Sequence, residues 1–330
     1  MKAQKNFGVL NNRYTLSKVI GTGGTSTVYL STVPDPTDSK KMKDVAIKVL
    51  NTKRITGQEA KLLSAEYSTM TQIDNPNIIK MYGIGRGNLV ADDKIKENLP
   101  YAILEYAEKG DLFNYVIAKN KSGFDEPYSR AIFKGLLNGI QACHAAGFCH
   151  RDIKMENIMV DKEYNVKLCD FGFATCLEGK NKDGLLYTPC GTQIYKAPEL
   201  WMKIPYNGIK SDVFALGVTL FALITGKVPF DYAAKGCFAY HLIMAKLWPK
   251  YWQRMNRANV FPNGISKEFK DLFEKMVAFD PRERPIIDDI LKHPWFTLPT
   301  ATKEELIAAT QAAVYTETNH AVWVDDQRLT

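Results

Sequence analysis

The chain has 330 residues, enough at roughly 150 per domain for about two lobes that each bury a core. Apolar residues make up 45% and charged residues 24%, with only 22 Gly and 15 Pro, which excludes a stapled miniature, a fibrous protein and a disordered chain. Lys plus Arg outnumber Asp plus Glu 43 to 36, a mild bias toward anionic partners, but Lys2, Lys5, Lys40, Lys41, Lys43, Lys119, Lys121, Lys180 and Lys182 are scattered through loop-like stretches rather than gathered into a nucleic-acid stripe.

In chain order, Tyr14 to Ile20 reads as a strand, Gly21-Thr22-Gly23-Gly24-Thr25-Ser26 as a glycine-rich turn, and Val28 to Leu30 as the returning strand. A loop with Pro34 and Pro36 leads to a short apolar strand, Val45 to Leu50, and then to a helical stretch through Glu59, Leu62, Leu63, Glu66 and Met70 that stops at Asn75-Pro76-Asn77. Strands are expected at 78–82 and 101–106, on either side of a polar loop around Asp92 to Glu97. Beyond Gly110 the period becomes helical. Ala131 to Ile140 carries one apolar face, and Val213 to Ile224 is apolar nearly all round, as a core helix is. Short strands around 158–169 and helices at 269–278 and 286–292 complete a mainly helical second half, and Thr302-Lys303-Glu304-Glu305 has the form of a capping box ahead of the apolar cluster Val322-Trp323-Val324.

Cys143, Cys149, Cys169, Cys176, Cys190 and Cys237 lie singly with no CxxC pair, which suits reduced thiols better than a zinc site or a disulfide framework. Met1 to Leu10 lacks a secretory apolar core, Gly does not follow Met1, and no apolar run approaches the ~18 residues of a span; a cytoplasmic or nuclear location away from membranes is expected.

Gly21-x-Gly23 could open a dinucleotide fingerprint, but that motif needs a helix after the glycines, and here a strand follows. A Walker loop is excluded because no Gly-Lys-Ser/Thr comes next. There remains a hairpin whose backbone amides lie over phosphates, or merely a turn.

The glycines are followed, in order, by Val45-Ala46-Ile47-Lys48, His150-Arg151-Asp152-Ile153-Lys154-Met155-Glu156-Asn157, Asp170-Phe171-Gly172 and Ala197-Pro198-Glu199. With this series the chain resembles a eukaryotic serine/threonine protein kinase over about residues 14–296. Ala278-Phe279-Asp280-Pro281 and Leu291-Lys292-His293-Pro294-Trp295-Phe296 look most like the calcium/calmodulin-dependent-kinase-like group, although no EF-hand loop is present and the tail after Phe296 is not a basic amphipathic helix of calmodulin-target type. The resemblance implies an α+β bilobal fold with ATP between the lobes. Residues 14–107 would form a small antiparallel-sheet lobe with one main helix and 108–296 a larger, mostly helical lobe, with 1–13 as an N-terminal arm and 297–330 as a C-terminal tail.

The resemblance also assigns roles. Asp152 would orient the substrate hydroxyl and accept its proton, and Lys154 would contact the transferring phosphate, a lysine that favours serine/threonine specificity. Lys48 would hold the α- and β-phosphates, oriented by Glu66, with Glu59 as the rival carboxylate. Asn157 and Asp170 supply the oxygen ligands that Mg²⁺ prefers. Adenine would lie between Val28 and Ala46 on one side and Met159 on the other, hydrogen-bonded to the backbone of Glu105 and Ala107, with Leu104 at the rear, Ile20, Gly21 and Gly23 over the nucleotide, and Asp111 near the ribose. Ser26 replaces the third glycine of the loop.

Thr188 occupies the activation-phosphorylation position, where an upstream kinase would act and Arg151 would pair with the phosphate. Thr192 looks like the threonine that contacts Asp152 and Lys154, Glu199 with Arg284 like a buried ion pair, and Asp212 like the carboxylate that supports the catalytic loop. Asp111 and Glu156 favour Arg three residues before the acceptor, while Ile194 and Ala222 disfavour a second Arg beside it. His144, His241 and His293 read as structural or exposed. The expectation is an ATP- and Mg²⁺-dependent kinase acting on protein Ser/Thr, a monomer by default. The alternative is a pseudokinase or nucleotide-binding scaffold on the same fold, a reading that Lys48, Asp152, Asn157 and Asp170 together leave little room for.

Overall fold

A computed structural model describes residues 7–23, 26–35, 38, 40–50, 57–91, 94–118 and 123–312. Val322-Trp323-Val324 and the turn residues Gly24 and Thr25 lie outside the described residues. The chain divides into two compact units; among the described residues, 7–72 and 79–107 form one, and 73–78 with 108–312 the other.

The first unit is a seven-stranded antiparallel sheet with one helix. Its strands are β1 (Val9–Leu10), β2 (Tyr14–Thr15), β3 (Lys18–Thr22), β4 (Ser26–Pro34), β5 (Met42–Leu50), β6 (Met81–Ala91) and β7 (Lys94–Glu105), with α1 (Gly57–Met70) between β5 and β6. The spatial order is β2-β1-β6-β7-β5-β4-β3. Because successive strand residues alternate faces, Val45, Ile47 and Val49 point one way, into a core with Leu10, Tyr14, Leu16, Leu89, Leu99 and Tyr101. Ala46 and Lys48 must then point the other way.

The sequence reading of a polar loop around 92–97 is corrected over 94–97, which are strand, while 92 and 93 lie outside the described residues. Pairing runs on through Leu89↔Lys96, Val90↔Ile95 and Ala91↔Lys94, so β6 and β7 form one long hairpin. Its outer half is mainly exposed, and cross-strand hydrogen bonding rather than burial keeps it in register. Residues 9–10, read as part of an arm, pair with both β2 and β6.

The second unit is helical. It contains α2 (Leu112–Ala118), α3 (Glu126–Ala145), β8 (Phe148–Cys149), β9 (Ile158–Val160), β10 (Val166–Leu168), β11 (Thr175–Cys176), α4 (Pro198–Trp201), α5 (Gly208–Thr225), α6 (Phe238–Met244), α7 (Trp248–Arg257), α8 (Lys267–Met276), α9 (Ile287–Leu291) and α10 (Lys303–Ala312). The helix α5 is long and apolar enough to cross a membrane by length and composition, contrary to the sequence expectation that no such run exists, but 89% of it is buried as the central core helix. Asn207 caps its start by accepting the N–H of Lys210, and Gly226 ends it with φ 67°, a left-handed conformation that a Cβ disfavours. Gly217 lets α8 approach closely, since a Cβ there would stand 2.8 Å from Val277 and 2.9 Å from Met276.

Candidate active site

In the sheet unit the register sets the site face. Val28 stands opposite Lys48, and Ala46 opposite Leu104, and directly paired residues share a face, so these four lie on the side turned away from the Ile47 core. Lys48 reaches Glu66 of α1 at 3.5 Å, with the two side chains 17% and 5% exposed. A carboxylate this buried would carry a large desolvation penalty without a cation, so the pair fixes the ammonium at one place on the sheet. Glu59 lies in the same helix, its side chain outside the described residues.

Ile20 sits where the β3–β4 register slips between Val19 and Gly21, a bulge that bends the strand at the glycines. The Gly23 N–H then closes the hairpin onto the Ser26 carbonyl at 2.8 Å. Glu105 ends β7, its side chain accepting the Lys80 N–H at 3.0 Å, and Ala107 follows, buried.

In the helical unit, Asp152 is 4% exposed and densely bonded. Its Oδ1 accepts the Thr192 N–H and hydroxyl, both at 2.8 Å, and its Oδ2 meets Lys154 Nζ at 2.8 Å and Asn157 Nδ2 at 3.2 Å. Lys154 also donates to Thr192 Oγ1 at 2.8 Å. The carboxylate is therefore held in one orientation by four groups, the condition for a base that receives a proton from a fixed direction.

The loop carrying it is strained at Arg151, φ 67°, and the turn after β10 is strained likewise at Asp170, φ 62°. Asp212 supports the first, accepting the backbone N–H of His150 at 2.9 Å and of Arg151 at 2.8 Å, while His144 Nε2 meets it at 2.8 Å. Burial pushes the Asp212 carboxyl up, but the contact with His144, the neighbouring His150 and the Arg151 N–H outweigh it and hold the group below its ordinary value. His150 stays in the core: its Nδ1 accepts from the Asp152 N–H at 3.2 Å, so Nε2 carries the proton toward the Cys169 carbonyl at 3.0 Å, and its ring packs edge-on against Phe171 at 4.8 Å.

Asn157 Nδ2 donates to the Asp152 carbonyl at 2.9 Å as well as to its carboxylate, which leaves Oδ1 as an acceptor. The Cys169 N–H donates to the Asn157 carbonyl at 2.9 Å, keeping Asp170 beside it in the chain fold. Asn157 Oδ1 and the Asp170 carboxylate are hard oxygen donors of the kind Mg²⁺ takes when substrate phosphates complete its shell. Among the described residues no cluster of three or more His, Cys, Asp or Glu offers an all-protein metal cage. Asp111 pairs with Met159 across an isolated bridge, bringing those two predicted residues together.

The segment from Asp170 to Glu199 is anchored at several points. Gly191 lies against the Arg151 carbonyl, where a Cβ would stand at 2.4 Å. Arg151 donates to the carbonyls of Phe173 at 2.7 Å and Thr188 at 3.4 Å and to the Tyr206 hydroxyl at 3.3 Å, and Tyr206 itself donates to the Thr188 carbonyl at 3.0 Å. Tyr206 escaped sequence reasoning because its link to the segment, the Leu186↔Tyr206 bridge, is long-range and has no fixed spacing. At the far end Glu199 and Arg284 form a bidentate pair at 2.7 and 2.8 Å, almost wholly buried.

A family model, the protein kinase domain, matches residues 14–296. The chain belongs to the protein kinase family. Among curated relatives, this kinase chain is 32% identical over 293 residues to CBL-interacting protein kinase 11 of Oryza sativa subsp. japonica, covering 88% of the chain and 53% of that protein. It is 33% identical over 291 residues to serine/threonine-protein kinase GIN4 of Saccharomyces cerevisiae, covering 85% and 24%. Against CBL-interacting serine/threonine-protein kinase 15 of Arabidopsis thaliana the identity is 32% over 296 residues, covering 89% and 63%. The chain thus spans from a quarter to under two thirds of the length of these relatives.

Proposed function

We propose that the chain is a serine/threonine protein kinase that transfers the γ-phosphoryl group of ATP, with Mg²⁺, to Ser or Thr hydroxyls of proteins. The observation that carries this reading is Asp152, held on Oδ1 by Thr192 and on Oδ2 by Lys154 and Asn157. The acceptor hydroxyl gives its proton to Asp152 as its oxygen bonds phosphorus, and the bond to the ADP oxygen breaks with its electron pair staying on ADP. Lys154 places a cation beside the oxygens of the moving phosphoryl group, and Lys48, aimed by Glu66, offers one to the remaining phosphates. Asn157 and Asp170 would hold Mg²⁺, which when bound neutralises phosphate charge. Catalysis is then positioning and electrostatics rather than covalent chemistry.

Phosphate transfer from Mg·ATP to a Ser/Thr peptide library tests the reading. Asp152→Asn keeps the size of the side chain and one acceptor oxygen but removes the base and turns a donor toward the donors on the other side, so kcat should fall by about 10²- to 10⁴-fold while the chain stays folded. Equal activity in the variant, or no transfer by the native chain, would sink it. Acidic Asp111 and Glu156 support a preference for Arg three residues before the acceptor, and Thr188, exposed beside Arg151, supports activation by an upstream kinase. A signalling role inside the cytoplasm or nucleus agrees with six cysteines, none of them in a disulfide.

A further inference from the structure

Between α6 and α8 the chain inserts α7, a ten-residue helix with two opposite faces. Tyr251, Trp252 and Met255 turn inward and are buried, Trp252 packing on Phe273 at 5.7 Å. On the outer side Lys250, Arg254 and Arg257 follow one another at i, i+4 and i+7, a single exposed stripe about 10 Å long. The helix contains no acidic residue, and among the described residues none of these three cations has an ion-pair partner, whereas neighbouring Lys246 is paired with Glu283 at 2.7 Å. Arg254 lies over the ring of Phe238, 5.5 Å from its centroid, and Phe238, the first residue of α6, is 63% exposed. The patch is therefore cationic with one apolar ring at its edge.

The stretch of chain that leads into this patch is packed on the end of the segment that would receive the acceptor. Trp201, two residues after Glu199, packs on Tyr232 at 5.4 Å, and Tyr232 lies in the stretch that leads into α6. Met202 and Ile204, one and three residues after Trp201, are each 47% exposed.

We propose that Lys250, Arg254 and Arg257, with Phe238, form a docking site for an acidic segment of the protein substrate that carries an apolar residue beside its carboxylates. The proposal rests on the kinase reading for the identity of the partner as substrate. Charge complementarity selects an acidic chain, and about four extended residues cover the stripe. A lipid surface fits less well, because a helix that lies in a membrane needs its own apolar face, and that of α7 is spent on the core.

The test uses the full chain and a fluorescein-labelled peptide of alternating Glu, Asp and Leu, read by anisotropy without nucleotide. Native protein should bind it with an affinity that falls as salt is added. Lys250→Glu combined with Arg254→Glu and Arg257→Glu should weaken binding by about tenfold or more, and the milder Arg254→Gln by about threefold. Transfer to a short acceptor peptide without the acidic segment should be unchanged in these variants, while fusing the segment to that peptide should lower KM for the native chain alone. Equal binding by native and triple variant, or none, overturns the proposal. So does charge-dependent sedimentation with phosphatidylserine vesicles in place of peptide binding. Charge-dependent peptide binding without any phosphate transfer would instead overturn the kinase reading and leave the surface standing.

Discussion

At the residue scale, the group whose chemistry extends beyond Asp152 is Glu156, four positions after the base. Although the residue is exposed, desolvation by the protein around it raises its pKa above the usual glutamate value, and the charges of Asp111 and Asp152 add to the rise against the pull of Lys154. If Glu156 receives the substrate arginine proposed above, it can do so only while ionised. As pH falls through the raised pKa, the KM for a peptide with Arg three residues before the acceptor should climb by about tenfold, while a peptide with Ala there should show no such step. Glu156→Gln should make the two peptides alike at every pH. Steady-state kinetics on the paired peptides decide the matter, and a step that persists in the variant would assign the titration elsewhere.

At the element scale, the activation segment depends on anchors at both ends. Near its middle, Arg151 is held by two carbonyls and the Tyr206 hydroxyl, all neutral acceptors, so the segment is ordered before any phosphate is added. A phosphate on Thr188 would replace neutral contacts with charge-assisted ones, and phosphorylation should raise kcat/KM by about tenfold to a hundredfold over a phosphatase-treated sample. Thr188→Ala should keep the basal rate and lose the increment; a variant that still responds to the activating kinase would place the switch on another residue. The distal anchor is structural. Arg284 donates to Glu199, to the carbonyls of Ala278, Lys210 and Phe279, and lies over the Phe214 ring at 5.0 Å, so Glu199→Ala strands a buried guanidinium. The expected loss is about 3–5 kcal/mol of unfolding free energy, read from urea denaturation. A loss under about 1 kcal/mol would show that the carbonyls alone satisfy the arginine.

At the scale of the whole molecule, what the sequence revealed was chemistry in order, and what it concealed was packing. Lys48, Asp152, Asn157 and Asp170 stand within short motifs whose spacing is fixed by one turn or one strand, so they could be read locally. The strand at Val9–Leu10 could not, because two residues have no period. Nor could α7, whose three exposed cations mask the apolar face of Tyr251, Trp252 and Met255, or the β6–β7 hairpin, held by backbone bonds through a polar stretch. The capping box at 302–305 was legible because both halves are local: the Thr302 N–H donates to Glu305 at 2.8 Å and the Glu305 N–H to Thr302 Oγ1 at 3.2 Å. Where α10 docks was not. It lies on α3, with Leu306 and Thr310 buried, while the Ala301 N–H donates to the Pro127 carbonyl and Arg130 reaches back to the carbonyls of Trp295 and Pro299. These contacts make α10 part of the helical unit's core. A chain ending at Thr300 forfeits one buried leucine, the Pro127 bond and the Lys303–Asn165 contact, which together should lower the unit's stability by about 2–4 kcal/mol. Urea denaturation followed by tryptophan fluorescence reads that unit when the untruncated chain carries Trp323→Phe, since the other four, Trp201, Trp248, Trp252 and Trp295, all belong to it. If truncation left the midpoint unmoved and raised kcat instead, α10 would be a brake on transfer rather than a structural brace.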